Sequence, residues 1–237
     1  MYHKILDILF PKTCMVCTNV LEKEERGVCK DCHDKMVLVE EPKCKCCGKG
    51  IEHKEDEFCY DCKKSPMREV KQGFALWEYN QHTKNVIHRF KYDGRIEYAH
   101  YFVEEILFHY GERWKSIGFD MLIPVPLHKK RERFRGFNQA EVLAKGLSER
   151  LQVPLVSDWL VRRKNTKPQN GLDDKERNQN LCHAFEVLKK EKTMPNRVLL
   201  VDDIYTTGTT IRQCAAVLKE AGVKEIYFIC LCIGRDF

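Results

Sequence analysis

The sequence predicts an α/β fold, a mostly parallel sheet flanked by helices, with a small cysteine-built unit in front of it. Two observations predict this. From Met67 onward, apolar stretches of strand length alternate with amphipathic stretches of helix length, the pattern of a parallel sheet joined by crossover helices. Before residue 63 lie nine of the thirteen cysteines of this 237-residue chain, and clustering of that kind points to metal rather than to a disulfide framework.

The cysteine spacing is Cys14-x2-Cys17-x11-Cys29-x2-Cys32, then Cys44-x2-Cys47-x11-Cys59-x2-Cys62, the same pattern shifted by 30 residues. Two C-x-x-C knuckles supply four thiolates, the closed tetrahedral shell of structural zinc, which leaves no open position for chemistry. Two zinc ions are expected. Sequential and cross-braced pairing share this spacing, so it leaves the pairing open, and Cys46 is surplus and able to compete with Cys44 or Cys47. The chain divides into residues 1–66, the zinc-binding part, and 67–237, the α/β part. The stretch from Asp61 to Val70 is polar, contains Pro66 and reads as a linker.

The elements of the second part follow in order. FALWEY (74–79) alternates like a strand, HTKNVIHRFKYDGR (82–95) places Val86, Ile87 and Phe90 at helical spacing, and 97–114 is a longer amphipathic helix. FDMLIPVPL (119–127) is a strand ending in a Pro-Val-Pro turn. A basic loop, 128–139, follows, and then a helix over 140–151. Short strands lie near 153–162 and 183–188, separated by the polar loop 164–180. RVLLVDD is a strand. TTIRQCAAVLKEAG is a helix burying Ile211, Cys214, Ala215, Leu218 and Ala221, with Gly222 at its end. EIYFICLCI is the last strand, on which Cys230 and Cys232 are expected to share a face.

VLLVDDIYTTGTT (198–210) carries the chemistry. It is strand, loop and helix of a βαβ unit, and the loop falls at a strand's carboxyl end, where open α/β sheets bind ligands. Backbone N–H groups of Thr206 to Thr210, freed by Gly208 and joined by the helix's positive end, can cradle a phosphate. Asp202 and Asp203 cannot hold that phosphate, because like charges repel. They suit sugar hydroxyls, which donate to carboxylates. The pattern describes a ribose 5-phosphate, with the sugar on the acids and the phosphate in the loop.

This stretch resembles the phosphoribosyl pyrophosphate (PRPP) motif of type I phosphoribosyltransferases. The whole ordered set looks narrower: paired knuckles, FKYDGR, PVPLHKKRERFRGFNQAE, TKPQNGLDDKERNQN, then the motif. It is similar to the bacterial ComF family, which includes the GntX-type proteins. The resemblance implies a type I phosphoribosyltransferase fold, with Asp202 and Asp203 on the ribose 2′- and 3′-hydroxyls as the catalytic pair. Thr206, Thr207, Gly208, Thr209 and Thr210 would hold the 5′-phosphate, and Mg²⁺ would be chelated by pyrophosphate and ribose oxygens. It also implies a role in natural competence, the uptake of single-stranded DNA into the cytoplasm, with a DNA-translocating helicase as partner. Candidates for pyrophosphate or DNA are His128, Lys129, Lys130, Arg131, Arg133 and Arg135, with Lys164 and Lys167 as a lid. An active enzyme transferring phosphoribose to a nitrogenous base is the alternative; no stretch identifies itself as a base pocket. Lys91, Tyr92 and Arg95 read equally well as ordinary helix-end residues.

The net charge of +6 bears on partners. Up to residue 68, basic and acidic residues balance at 13 each, so the excess lies in the later part, where a phosphate-rich partner is expected. The longest apolar run, Ile226 to Ile233, is far too short for a bilayer, which needs about 20 residues. MYHKILDILFPK lacks the apolar length and cleavage site of a signal peptide. A cytoplasmic protein without a membrane segment is expected.

Overall fold

The computed structural model describes residues 11–163, 184–188 and 194–234. Lys164, Lys167, Cys182 and the polar loop 164–180 lie outside them.

The cysteine repeat is realised bond by bond. In the first unit the Cys14 N–H donates to the Asn19 carbonyl at 2.8 Å and the Thr18 N–H to the Cys14 carbonyl at 2.9 Å. In the second, Cys44 N–H donates to Lys49 at 2.7 Å and Gly48 N–H to Cys44 at 2.9 Å. Each tight turn needs a left-handed residue, supplied by Thr18 (φ 68°) and Gly48 (φ 77°). Bridges Thr13–Val20 and Lys43–Gly50 close the two turns. The second knuckle of each unit opens a short helix, α1 (Lys30–His33) and α2 (Tyr60–Lys64).

The α/β part runs β1 (Gln72–Glu78), α3 (Gln81–Tyr92), α4 (Tyr98–Ile117), β2 (Met121–Pro124), α5 (Lys129–Arg135) and α6 (Gln139–Leu151). It continues with β3 (Leu160–Arg162), β4 (Phe185–Val187), β5 (Arg197–Tyr205), α7 (Thr209–Glu220) and β6 (Glu225–Ile233). One sheet has the order β1-β6-β5-β2 with every neighbouring pair parallel. Five consecutive residues of β1, Gly73 to Trp77, are buried. A parallel strand covered on both faces reads as a continuous apolar run, not as an alternation. On one face α3, α4, α6 and the first cysteine unit close over Phe74, Leu199, Val201 and Ile229. On the other, α7, Leu160, Phe185 and the second unit cover Val198, Leu200 and Phe228. Trp77 and Phe90 each meet Phe102 edge-on, at 5.7 and 5.4 Å, the favoured geometry of ring quadrupoles.

Local signals fix the helix ends. Asn80 Oδ1 accepts from the N–H groups of His82 and Thr83 at 2.8 and 2.9 Å, and Thr83 Oγ1 accepts from the Asn80 N–H at 2.8 Å, a reciprocal box that starts α3. Asn138 caps α6 and donates from Nδ2 to the Val125 carbonyl at 3.1 Å, tying that helix to the turn after β2.

Three readings are corrected, and one, the pair of short strands, is completed. The basic segment expected as a loop is helical: His128 Nδ1 accepts from the Lys130 N–H at 3.2 Å, and Gly136, at φ 84°, ends the helix. The two short strands pair antiparallel with each other, outside the parallel sheet. Cys230 and Cys232 do not share a face; Cys230 packs beside α7 and Cys232 on the α3–α4 side, because the alternation along β6 changes phase after Leu231. The stretch 61–70 is not a free linker, since Met67 and Val70 are buried.

Candidate functional site

Strand β5 carries Asp202 and Asp203 out of the core and continues to Tyr205, so the acids sit just inside its end. Successive residues of a strand face opposite ways. Asp203 turns toward α3 and accepts from Lys91 Nζ at 2.7 Å, both side chains being more than four-fifths buried. Asp202 turns toward β3 and α7, and its Oδ1 accepts from the Asp203 N–H at 2.8 Å. Burial first, and the Asp203 charge second, push the Asp202 carboxyl up to about 7, against the pull of that N–H, Lys91 and Arg162.

The loop after β5 is shaped by Gly208 (φ 72°). A Cβ there would lie 2.3 Å from Tyr205 Oη, so glycine is required by both conformation and space. Gly208 is also the N-cap of α7 and offers no side-chain oxygen to the helix. Among the described residues, the N–H groups of Thr206, Thr207 and Gly208 have no protein acceptor. The Thr207 and Thr209 hydroxyls meet at 2.9 Å. Free donors at an uncapped helix start form a ready anion site.

Helix α5 divides the basic candidates. Lys129, Lys130 and Arg133 are exposed, whereas Arg131 and Arg135, one turn apart, are half-buried on the same face. Arg135 donates to Tyr92 Oη and to Gln139 Oε1, each at 2.8 Å, and its guanidinium lies 4.7 Å from the Tyr92 ring centre. Arg162, at the end of β3, is brought down to about 10 by burial and by the Arg131 charge, while Cys214 and Asp202 act the other way. Arg162 therefore lies on the Asp202 side of the site, with the Arg131 charge near it. Sequence reasoning left Lys91 undecided between a site residue and an ordinary helix end, and missed Arg162. FKYDGR held a signal for the first; nothing local marked the second.

The thiols group sequentially, Cys14, Cys17, Cys29 and Cys32 in one cluster and Cys44, Cys47, Cys59 and Cys62 in the other, each with all sulfurs within 4.8 Å. Cross-bracing is thereby ruled out. Tetrahedral zinc with Zn–S near 2.3 Å places its sulfurs ~3.8 Å apart; Cys17–Cys29 and Cys47–Cys59 are each at 3.7 Å, so both sets fit. Cys46 stays outside the second set, against Cys62. A groove of about 1180 Å³ between the first unit and α4, lined by Met15, Leu21, Tyr98, Tyr101 and Phe108, includes none of the predicted site residues.

The architecture and the site define a class: a double zinc ribbon domain, matched over residues 5–63, joined to a phosphoribosyl transferase domain, matched over residues 138–236. Competence protein F of Haemophilus influenzae is 30% identical, covering 90% of this chain and 93% of its own. Competence protein ComFC of Bacillus subtilis is 30% identical over 85% and 82%. DNA utilization protein YhgH of Escherichia coli K12 is 27% identical over 94% and 97%. The chain belongs to the competence protein F (ComF) family. Among the described residues, no helix is long and apolar enough to cross a membrane.

Proposed function

We propose that this chain binds PRPP between β5 and α7, and that it assists the handling of single-stranded DNA entering the cytoplasm in natural transformation. The observation that carries the reading is the loop after β5: among the described residues, the N–H groups of Thr206, Thr207 and Gly208 are unengaged at an uncapped helix start, directly after two divergent carboxylates. Asp202 and Asp203 accept from the ribose 2′- and 3′-hydroxyls. Thr206, Thr207, Gly208, Thr209 and Thr210 hold the 5′-phosphate. Arg131, Arg135 and Arg162 face the pyrophosphate, with Lys164 and Lys167 joining from the loop beyond β3. Magnesium, chelated by the ligand's own oxygens, supplies positive charge against the pyrophosphate. Residues 1–66 form the zinc-binding domain and 67–237 the phosphoribosyltransferase-like one.

The DNA part rests on the exposed face of α5. Lys129, Lys130 and Arg133 track phosphates, and Phe134 and Tyr92, 82% and 51% exposed, offer rings to bases. The names of the relatives, two competence proteins and a DNA utilization protein, support the same direction. A DNA-translocating helicase is the partner expected for the family.

The Arg162 charge beside Asp202, with Arg131 near it, favours a second reading, an active phosphoribosyltransferase. The guanidinium groups would steady the departing pyrophosphate while an oxocarbenium-like ribose passes to a nitrogen nucleophile. Fluorescence anisotropy of a labelled single-stranded oligonucleotide, with and without PRPP–Mg²⁺, separates the two. Binding that responds to PRPP supports the first. No binding at low salt rejects it and directs a screen of bases for pyrophosphate release.

A further inference from the structure

The second cysteine cluster and the phosphate loop grip the same short segment. Directly after Cys62 the chain runs Lys63, Lys64, Ser65, Pro66, Met67. Ser65 is held by Arg212 from the first turn of α7: Nη1 donates to the Ser65 hydroxyl at 2.7 Å and Nη2 to its carbonyl at 2.9 Å. The Arg212 N–H donates to the Gly208 carbonyl at 2.8 Å, so one residue holds both the loop and the segment. Buried Met67 accepts from Tyr205 Oη at 3.5 Å, and that hydroxyl is the atom against which Gly208 lies. Tyr205 is fixed from behind by Phe228, its ring parallel within 5° at 5.2 Å.

The knuckle is seated on the sheet just as closely. The Gly73 N–H donates to the Cys46 carbonyl at 2.6 Å. A Cβ on Gly48 would lie 2.6 Å from the Gly73 carbonyl, and one on Gly73 would lie 2.2 Å from the Phe228 ring. A rigid chain of contact thus runs from the cluster through Phe228 and Tyr205 to the loop. Among the described residues, no such route links the first cluster to the loop. That cluster packs on the opposite face, where Arg89 Nη1 donates to the carbonyls of Met15 and Val16 at 2.7 and 3.2 Å.

We propose that Met67 and Arg212 are positioning residues that couple metal in the Cys44–Cys47–Cys59–Cys62 cluster to phosphate binding by residues 206–210. The inference rests on the reading of that loop as a phosphate site. Metal there fixes Cys62, and with it Ser65 and Met67, on which Arg212 and Tyr205, the residues flanking the loop, rest. The coupling is reciprocal by linkage: phosphate in the loop tightens metal in the second cluster by the factor by which that metal tightens phosphate.

The test uses full-length, zinc-loaded protein and ribose 5-phosphate as probe. Zinc affinity is measured by competition with a chromogenic chelator, and thiol alkylation followed by peptide mass spectrometry assigns each ion to residues 14–32 or 44–62. Saturating ribose 5-phosphate is expected to tighten the second ion about 5- to 10-fold and to leave the first unchanged. Arg212→Ala is expected to abolish this selective effect while two zincs remain bound, and Met67→Ala serves as a second variant should the first fold poorly. Equal tightening of both ions, or of neither in protein that binds ribose 5-phosphate by calorimetry, overturns the coupling. Absence of calorimetric binding in the wild type overturns the phosphate-site reading itself.

Discussion

Lys91 and Asp203 meet across 112 positions of sequence to form a 2.7 Å ion pair in a largely buried setting. Removing one partner of such a pair leaves the other charge without compensation. Lys91→Met is expected to cost about 1.5–3 kcal/mol in chemical denaturation and to weaken PRPP roughly tenfold, with Lys91→Arg restoring part of both. Unchanged PRPP affinity in Lys91→Met would place the pair outside the site. Asp202 gives a pH signature. Its folded carboxyl titrates near 7, above the ordinary 3.8, so the native state holds the proton more tightly than the unfolded chain. Stability therefore falls as pH rises from about 4 to 7, and is lowest above that. Asp202→Asn removes the fall, making the variant more stable than wild type at pH 8 by the order of 2 kcal/mol; denaturation curves at pH 5 and pH 8 check the sign. The two acids were legible in the sequence because their meaning is local: a buried strand, its end, then hydroxyls and a glycine. Lys91 was marked only by the FKYDGR stretch and Arg162 by nothing local, since the fold alone brings them to the acids.

At the scale of elements, the β5–loop–α7 unit and helix α5 set the site. Gly208→Ala forces a Cβ against Tyr205 Oη in a backbone conformation that disfavours any side chain. A loss of about 1–3 kcal/mol in thermal or chemical denaturation is expected, with phosphate affinity falling further as the loop shifts. For α5, reversing the exposed Lys130 and Arg133 to Glu is expected to weaken single-stranded DNA at low salt. It should also lower the slope of log K against log salt by about 1.4, the share of two phosphate contacts; an unaltered isotherm moves the DNA surface elsewhere. This helix was hidden in the sequence for a physical reason. It has seven residues, none buried, and hence no apolar stripe. Its signals are its ends, His128 and Gly136, and they are weaker than periodicity. Long amphipathic stretches such as α4, α6 and α7 were readable because one face of each is buried at helical spacing. The pairing of β3 with β4 joins segments far apart in sequence, and no local pattern records it.

Across the whole molecule, the zinc ribbons are part of the body, not an appendage. Cys14, Met15 and Val28 belong to the same buried cluster as Phe90 and Phe102, and Cys44, Cys47 and Met67 to the one that holds Tyr205 and Ile211. Structural zinc contributes on the order of 10 kcal/mol to the units it closes. Stripping both ions is therefore expected to lower a single unfolding transition by more than ~10 °C, followed by calorimetry with and without chelator. A phosphoribosyltransferase-like domain that melts unchanged would show the two parts to be independent. The most direct test of the central claim is isothermal calorimetry of PRPP–Mg²⁺ against zinc-loaded wild type and the Asp202→Asn, Asp203→Asn double variant. The account predicts saturable binding in the wild type, micromolar to submillimolar, and none in a variant that still folds. Equal affinity in the two proteins would contradict it.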